Sequence, residues 1–140
     1  MINLFTWDES YLVNIEKLDK HHQKLMTLFN KLHNDLHVYQ DIAQKSPLIE
    51  KALTELINYS FYHFQAEEEL MIKYDYPNYI SHKTEHDRFK LQVNQLMEQH
   101  KESAFGMAFP VLHFINEWLT THIINVDKQY EPYLQNDQKP

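Results

Sequence analysis

An all-α fold, an antiparallel up-down-up-down four-helix bundle with an extended amino-terminal arm, is what this sequence predicts. Glycine occurs once and proline five times in 140 residues, too few turn formers for a hairpin-rich protein. Four stretches carry apolar residues every three or four positions, the period of a helix with one buried face. The connections between them are short, which favours antiparallel neighbours. Residues 1–140 are expected to form a single domain.

The arm, residues 1–18, shows no sustained helical period and carries Phe5, Trp7 and Tyr11. A first helix is expected over about 19–39, with Asp19 as its N-cap and Leu25, Phe29, Leu32 and Leu36 on its buried face. Ser46-Pro47 is a helix start, with Ser capping and Pro in the first turn. The second helix, about 47–75, carries Ile49, Leu53, Leu56, Ser60, His63, Glu67 and Leu70 on one face and should stop before Tyr76-Pro77. A third is expected over about 78–101. After a break at Gly106, a fourth is expected over about 107–128, with Pro110 in its first turn and Pro132 ending any continuation.

Composition narrows the chemistry. Hydrophobic residues make up 43% and aromatics 14%, enough to exclude a disordered chain. No cysteine is present, so disulfides, thiolate metal sites and cysteine nucleophiles are excluded. The net charge of −7, without a basic run, argues against a nucleic-acid partner. No apolar run reaches membrane-spanning length, and MINLFTWDESYL lacks the plan of a secretory signal, so a cytoplasmic protein is expected. No apolar stripe is left over for self-association, which predicts a monomer. The surplus is in histidine, with ten residues. In a chain without cysteine that points to metal.

His63 and Glu67 are four residues apart on the second helix, and His82 and His86 four apart on the third. At about 100° per residue each pair leaves one helix face, separated by roughly 6 Å. His22 and His122 share the buried faces of the first and fourth helices. In an antiparallel bundle the starts of helices one and three lie beside the ends of helices two and four, so all these side chains meet at one level. Burying five imidazoles and a carboxylate without an ion would leave many polar groups to satisfy. His100 lies about 27 Å from His82 along the axis, and His33 roughly 16 Å from His22. Together with His21, His37 and His113 they are expected to be solvated or hydrogen-bonded surface residues. Five histidines and a carboxylate exceed what a tetrahedral zinc needs and suggest two ions, with iron, manganese and zinc all compatible.

Several segments, in order, carry a resemblance. They are Asp19-Lys20-His21-His22-Gln23-Lys24-Leu25, His63-Phe64 with Glu67-Glu68, Tyr76-Pro77 leading to His82-Lys83 and His86, and Trp118-Leu119-Thr120-Thr121-His122-Ile123 leading to Asp127-Lys128. From about Phe5 to Tyr133 the chain resembles the hemerythrins, particularly the bacterial single-domain members. The resemblance implies two iron ions joined by an oxo or hydroxo bridge. On that analogy His82, His86 and His122 hold one iron, His22 and His63 the other, and Glu67 and Asp127 bridge them. Helical phase alone would not select Asp127, which lies about 140° around the helix from His122 and can join only if helix four ends or distorts there. Glu68 and Glu69 compete with Glu67 at poorer phase.

The implied function is reversible dioxygen binding for carriage, storage or delivery, without enzymatic turnover. An oxygen-accepting protein would be the partner. Three histidines fill one iron, and two leave the other with an open position. Phe64, Trp118, Leu119 and Ile123 are expected to form an apolar pocket over it, with Trp7 closing it. The alternatives are a di-iron oxygen or redox sensor, an enzyme acting on peroxide or nitric oxide, and a metal-storage bundle.

Overall fold

The computed structural model describes residues 6–38 and 46–138. Four long helices, α1 (Glu16–Val38), α2 (Pro47–Lys73), α3 (Tyr79–Glu102) and α4 (Ala108–Asn125), form the bundle. Each packs on the next, and α4 closes on α1. None of the described helices is long and apolar enough to cross a membrane.

The ends of these helices follow local chemistry. Ser46 caps α2, its Oγ accepting from the Ile49 amide at 3.3 Å, and Pro47 opens the first turn. At the other end Asp75 takes a left-handed φ of 52°, the Tyr76 amide bonds the Met71 carbonyl at 2.9 Å, and the Asp75 amide that of Ile72 at 3.2 Å. This is a Schellman close with Asp where glycine is usual. It stops α2 at Lys73, ahead of the point where Pro77 would have ended it.

Two start and stop expectations are corrected. Helix α1 begins at Glu16, and Asp19 lies inside its first turns and does not cap it. Its carboxylate reaches back over the chain, accepting from the Val13 amide at 2.8 Å and the Asn14 amide at 3.1 Å. That contact pins a sharp turn in which Asn14 has a φ of 61°. The arm is also not extended throughout, since Glu9–Tyr11 form a 3-10 turn capped by Asp8. Pro132 does not end the helical chain; it occupies the first turn of a short α5 (Glu131–Leu134), where it has no need of an amide hydrogen. The expected α1 end at Tyr39, and Phe5, lie outside the described residues.

Among the described residues, the buried apolar side chains form two clusters. The larger fills the bundle with Leu25, Phe29, Leu53, Leu56, Phe64, Phe89, Ile115 and Leu119 among others. The smaller gathers Val13, Ile15 and Leu18 from the arm and α1, Leu70, Met71 and Tyr76 from the α2 end, and Tyr130 and Leu134 from the tail. It forms a lid over one end of the bundle. Asn14 and Glu131 hydrogen-bond across it, and Tyr74 bonds Asp137 at 3.0 Å.

His100 is corrected as well. It is fully buried at the opposite end, where its Nδ1 accepts from the Met107 amide at 2.7 Å and its Nε2 donates to Glu50. The turn between α3 and α4 is thereby fastened to the start of α2. His113 is exposed and paired with Glu117 at 3.2 Å, in line with expectation, and His33 is half-buried.

Removing the Asp19 carboxylate leaves two backbone amides of the arm without their charged acceptor. Asp19→Ala should lower stability by about 1–3 kcal/mol, more than the ~1 kcal/mol expected for Ser46→Ala. A urea midpoint for Asp19→Ala equal to that of the parent would remove Asp19 as the fastening of the arm.

Candidate metal centre

Apart from Ser60 and from His100 at the opposite end, the buried polar side chains gather in one layer between the two apolar clusters. His22 comes from the second turn of α1, His63 and Glu67 from late α2, His82 and His86 from early α3, and His122 from the last turn of α4. Alternating helix directions bring these turns to a common level. All of these side chains, and Asp127, are buried, none more than 3% exposed.

Asp127 joins them because α4 breaks. Its last α-helical turn closes at Val126, whose amide bonds the His122 carbonyl at 2.9 Å and whose φ and ψ are −112° and −52°. From Asp127 to Tyr130 the chain tightens to a 3-10 helix. The departure of Val126 from helical φ redirects the chain there, and the Asp127 carboxylate comes to lie 2.8 Å from His122 Nε2.

The donors fall into two overlapping groups, Glu67, His82, His86, His122 and Asp127 in one and His22, His63, Glu67 and Asp127 in the other. In the first, the Nε2 of His122 lies 3.1 Å from that of His86 and 3.0 Å from that of His82. Asp127 Oδ1 is 2.8 Å from His122 Nε2 and 3.0 Å from His82 Nε2, while its Oδ2 is 3.2 Å from His22 Nε2. One carboxylate thus presents an oxygen to each group. Glu67 Oε1 is 2.9 Å from His63 Nε2 and 3.6 Å from His86 Nε2.

These contacts fit a metal better than they fit a hydrogen-bond network. Three Nε2 atoms facing one another cannot all be paired by protons, because each ring nitrogen carries either one N–H or one lone pair. Both oxygens of Glu67 and of Asp127, and His22 Nε2, are buried without a hydrogen-bond partner of normal geometry. Ligands at right angles around an ion with bonds of about 2.1 Å lie about 3.0 Å apart, the spacing seen among these atoms. Nitrogen and carboxylate donors without sulfur suit a first-row divalent ion.

The electrostatics are those of a tightly coupled buried cluster. Burial alone would lower the His122 pKa, but the charge of Asp127 in close contact with it, with Glu85 and Glu67, pushes it up to about 10. Burial and the Asp127 charge act to raise Glu67, yet His63 and His86 bring it down to about 2. Asp127 is likewise raised by burial and lowered further by His122, His22 and His82, to well below the usual carboxylate range.

Residues not expected at the site surround it. The outer nitrogen of His122 contacts Glu85 Oε2 at 3.1 Å, and that of His86 contacts Glu68 Oε2 at 2.9 Å. Glu68 therefore orients a histidine, and exposed Glu69 bonds Gln65 at 3.1 Å, away from the cluster. His21, expected at the surface, is 8% exposed, with its Nδ1 3.0 Å from that of His63. Burial first, then the charges of His63, Lys17 and His22, lower its pKa to about 4. Tyr130 is fully buried, its ring stacked on His82 at 5.7 Å. Glu85 was legible as a carboxylate one turn from His82; Tyr130 gave no such signal.

Phe64 stacks on His86 at 4.1 Å and Trp118 on His122 at 4.2 Å, so both rings wall the three-histidine group. Leu119 and Ile123 are buried in the main core. Trp7 packs half-buried against that core, 5.8 Å from the ring of Tyr11.

The family model described as the hemerythrin HHE cation binding domain matches residues 13–134. The chain belongs to the hemerythrin family. It is 33% identical to a hemerythrin-like protein of Naegleria gruberi over 93% of both chains. It is 31% identical to a bacteriohemerythrin of Methylococcus capsulatus, covering 94% of this chain and 97% of the relative. A solved wild-type hemerythrin superposes with a TM-score of 0.79 at 31% identity, covering 94% of this chain and 98% of the other. The all-helical family architecture and a histidine-carboxylate cluster suited to metal are thus established for this chain.

An ion taken by His122 through Nε2 displaces the proton that this ring otherwise holds up to about pH 10. Affinity for a divalent ion should therefore rise with pH between 6 and 9, by about tenfold per unit for each proton displaced. Zinc titrations of chelator-treated protein at several pH values would measure the slope; a flat profile would contradict the charge state derived for His122.

Proposed function

We propose that the chain binds dioxygen reversibly at a di-iron centre, for carriage, storage or delivery of oxygen. His82, His86 and His122 would hold one iron and His22 and His63 the other, with Glu67 and Asp127 shared. The observation that carries the reading is the inequality of two donor groups that share two carboxylates. One group offers three imidazoles and the other two, so the second leaves room for an exogenous ligand. Two ferrous ions would supply the two electrons that reversible capture of dioxygen requires.

The protein's own part is to hold, shield and limit. Two carboxylates against five neutral imidazoles make a weakly anionic donor set, whereas di-iron bundles rich in Glu-x-x-His carboxylates favour higher oxidation states. Binding without O–O cleavage is therefore the chemistry this donor set supports. The core on one side and the lid of Val13, Ile15, Tyr76, Tyr130 and Leu134 on the other keep bulk water from the layer. Leu119 and Ile123 are assigned to the apolar pocket beside the two-histidine iron, with Trp7 at its edge. Phe64 and Trp118 are assigned to holding His86 and His122 in place.

Protein reduced without air should show no visible charge-transfer band, gain one when air is admitted, and lose it when oxygen is removed. Direct passage to a stable ferric form, without a reversible band, would overturn carriage and point to a redox enzyme or sensor. His82→Ala should lose at least one iron per chain by metal analysis, and full iron content would remove His82 from the ligand set. Leu119→Asn should speed autoxidation several-fold; an unchanged rate would take Leu119 out of the pocket.

A further inference from the structure

The outer nitrogens of the histidines are not treated alike. In the three-histidine group, His86 and His122 turn their Nδ1 atoms to carboxylates, Glu68 at 2.9 Å and Glu85 at 3.1 Å. In the two-histidine group, His63 turns its Nδ1 to another imidazole, His21 Nδ1, at 3.0 Å. His21 precedes His22 on α1, so consecutive residues of one turn serve the same group, one directly and one through His63.

The tautomers follow from counting protons. His63 Nε2 faces the cluster, 2.9 Å from Glu67 Oε1, and as a ligand it must present a lone pair there. Its only proton then sits on Nδ1 and is donated to His21. His21 Nδ1 must accept, which places the His21 proton on Nε2. The His21 ring is held in this orientation by Tyr59 and Tyr62, whose ring centres lie 5.8 and 5.4 Å away. A carboxylate acceptor makes the donating imidazole a stronger base, and a neutral imidazole does so much less.

We infer that His21 is the positioning residue of the two-histidine half, fixing His63 in its Nδ1–H tautomer, and that an imidazole acceptor in place of a carboxylate makes this half the weaker metal site. The inference rests on the ligand set proposed above. The proton-accepting partner is supplied by α1, so it is present only when α1 is docked on α2. The three-histidine half takes its partners from α2 and α3.

The test is an anaerobic titration of chelator-treated protein with cobalt(II), followed by its visible absorption, with circular dichroism melts confirming the fold. The parent should take two ions in separable steps. His21→Phe, which keeps the ring packing but cannot accept, should weaken one step by about ten- to a hundredfold and leave the other unchanged. His21→Gln, whose side-chain oxygen accepts, should restore it. Glu85→Ala should weaken the other step, and the double variant His21→Phe/Glu85→Ala both. A parent that takes no cobalt, or fewer than two ions, would overturn the ligand set and this inference together. Two ions in the parent with unchanged steps in His21→Phe would overturn the role of His21 alone. Equal weakening of both steps, or no recovery in His21→Gln, would reduce His21 to a packing residue and overturn the role as well.

Discussion

The carboxylate of Asp127, wholly buried, lies within 3.2 Å of imidazoles from α1, α3 and α4. A buried carboxylate without compensation is expensive, and removing one partner of such a pair costs about 3–5 kcal/mol. The rest of the bundle can be understood from that constraint. The helices must deliver positive or metal-binding groups to one depth, and the chain must bend at Val126 to bring the carboxylate back to them. The apolar clusters above and below supply the stability from which this polar layer draws.

The arm and the tail have a definite place in this economy. Without them, the layer would be an open end of a bundle, where water solvates carboxylates and competes for every ligand. Val13 and Ile15 from one end of the chain pack with Tyr130 and Leu134 from the other. Asp19 supports this from within α1, three residues before His22, by holding the arm amides. The segment that positions His22 on the first helix therefore also closes the lid over it. The sealing of the layer and the placement of His22 are linked through one turn of α1.

The orienting contacts add a second level of order. Histidine rings can rotate and exchange tautomers, and a partner on the outer nitrogen fixes both the ring and its tautomer. Glu68, Glu85 and His21 are such partners for three of the five rings, and stacking by Phe64, Trp118 and Tyr130 limits rotation in the three-histidine half. The aromatic residues are thus core and site at once.

Much of this was legible in the residues themselves. The fold class followed from periodicity and from the near absence of turn formers, because an amphipathic helix repeats its pattern within one element. His22, His63, Glu67, His82, His86 and His122 were legible for the same reason: i,i+4 spacing and phase on a helix are local, and antiparallel packing sets depth. Asp127 came only with the family resemblance, since its place depends on a break in α4 that a straight-helix rule does not contain. Tertiary structure alone decided the rest. Asp19 became an anchor because the chain turns sharply at Asn14, five residues upstream, while His21 and His100 went inside, and Tyr130 and the arm closed the lid, because each depends on which distant side chain or ring packs against it. Periodicity reports which face of a helix is buried; it cannot report what that face meets, and hydrogen-bond partners 42 to 117 residues apart are set by packing.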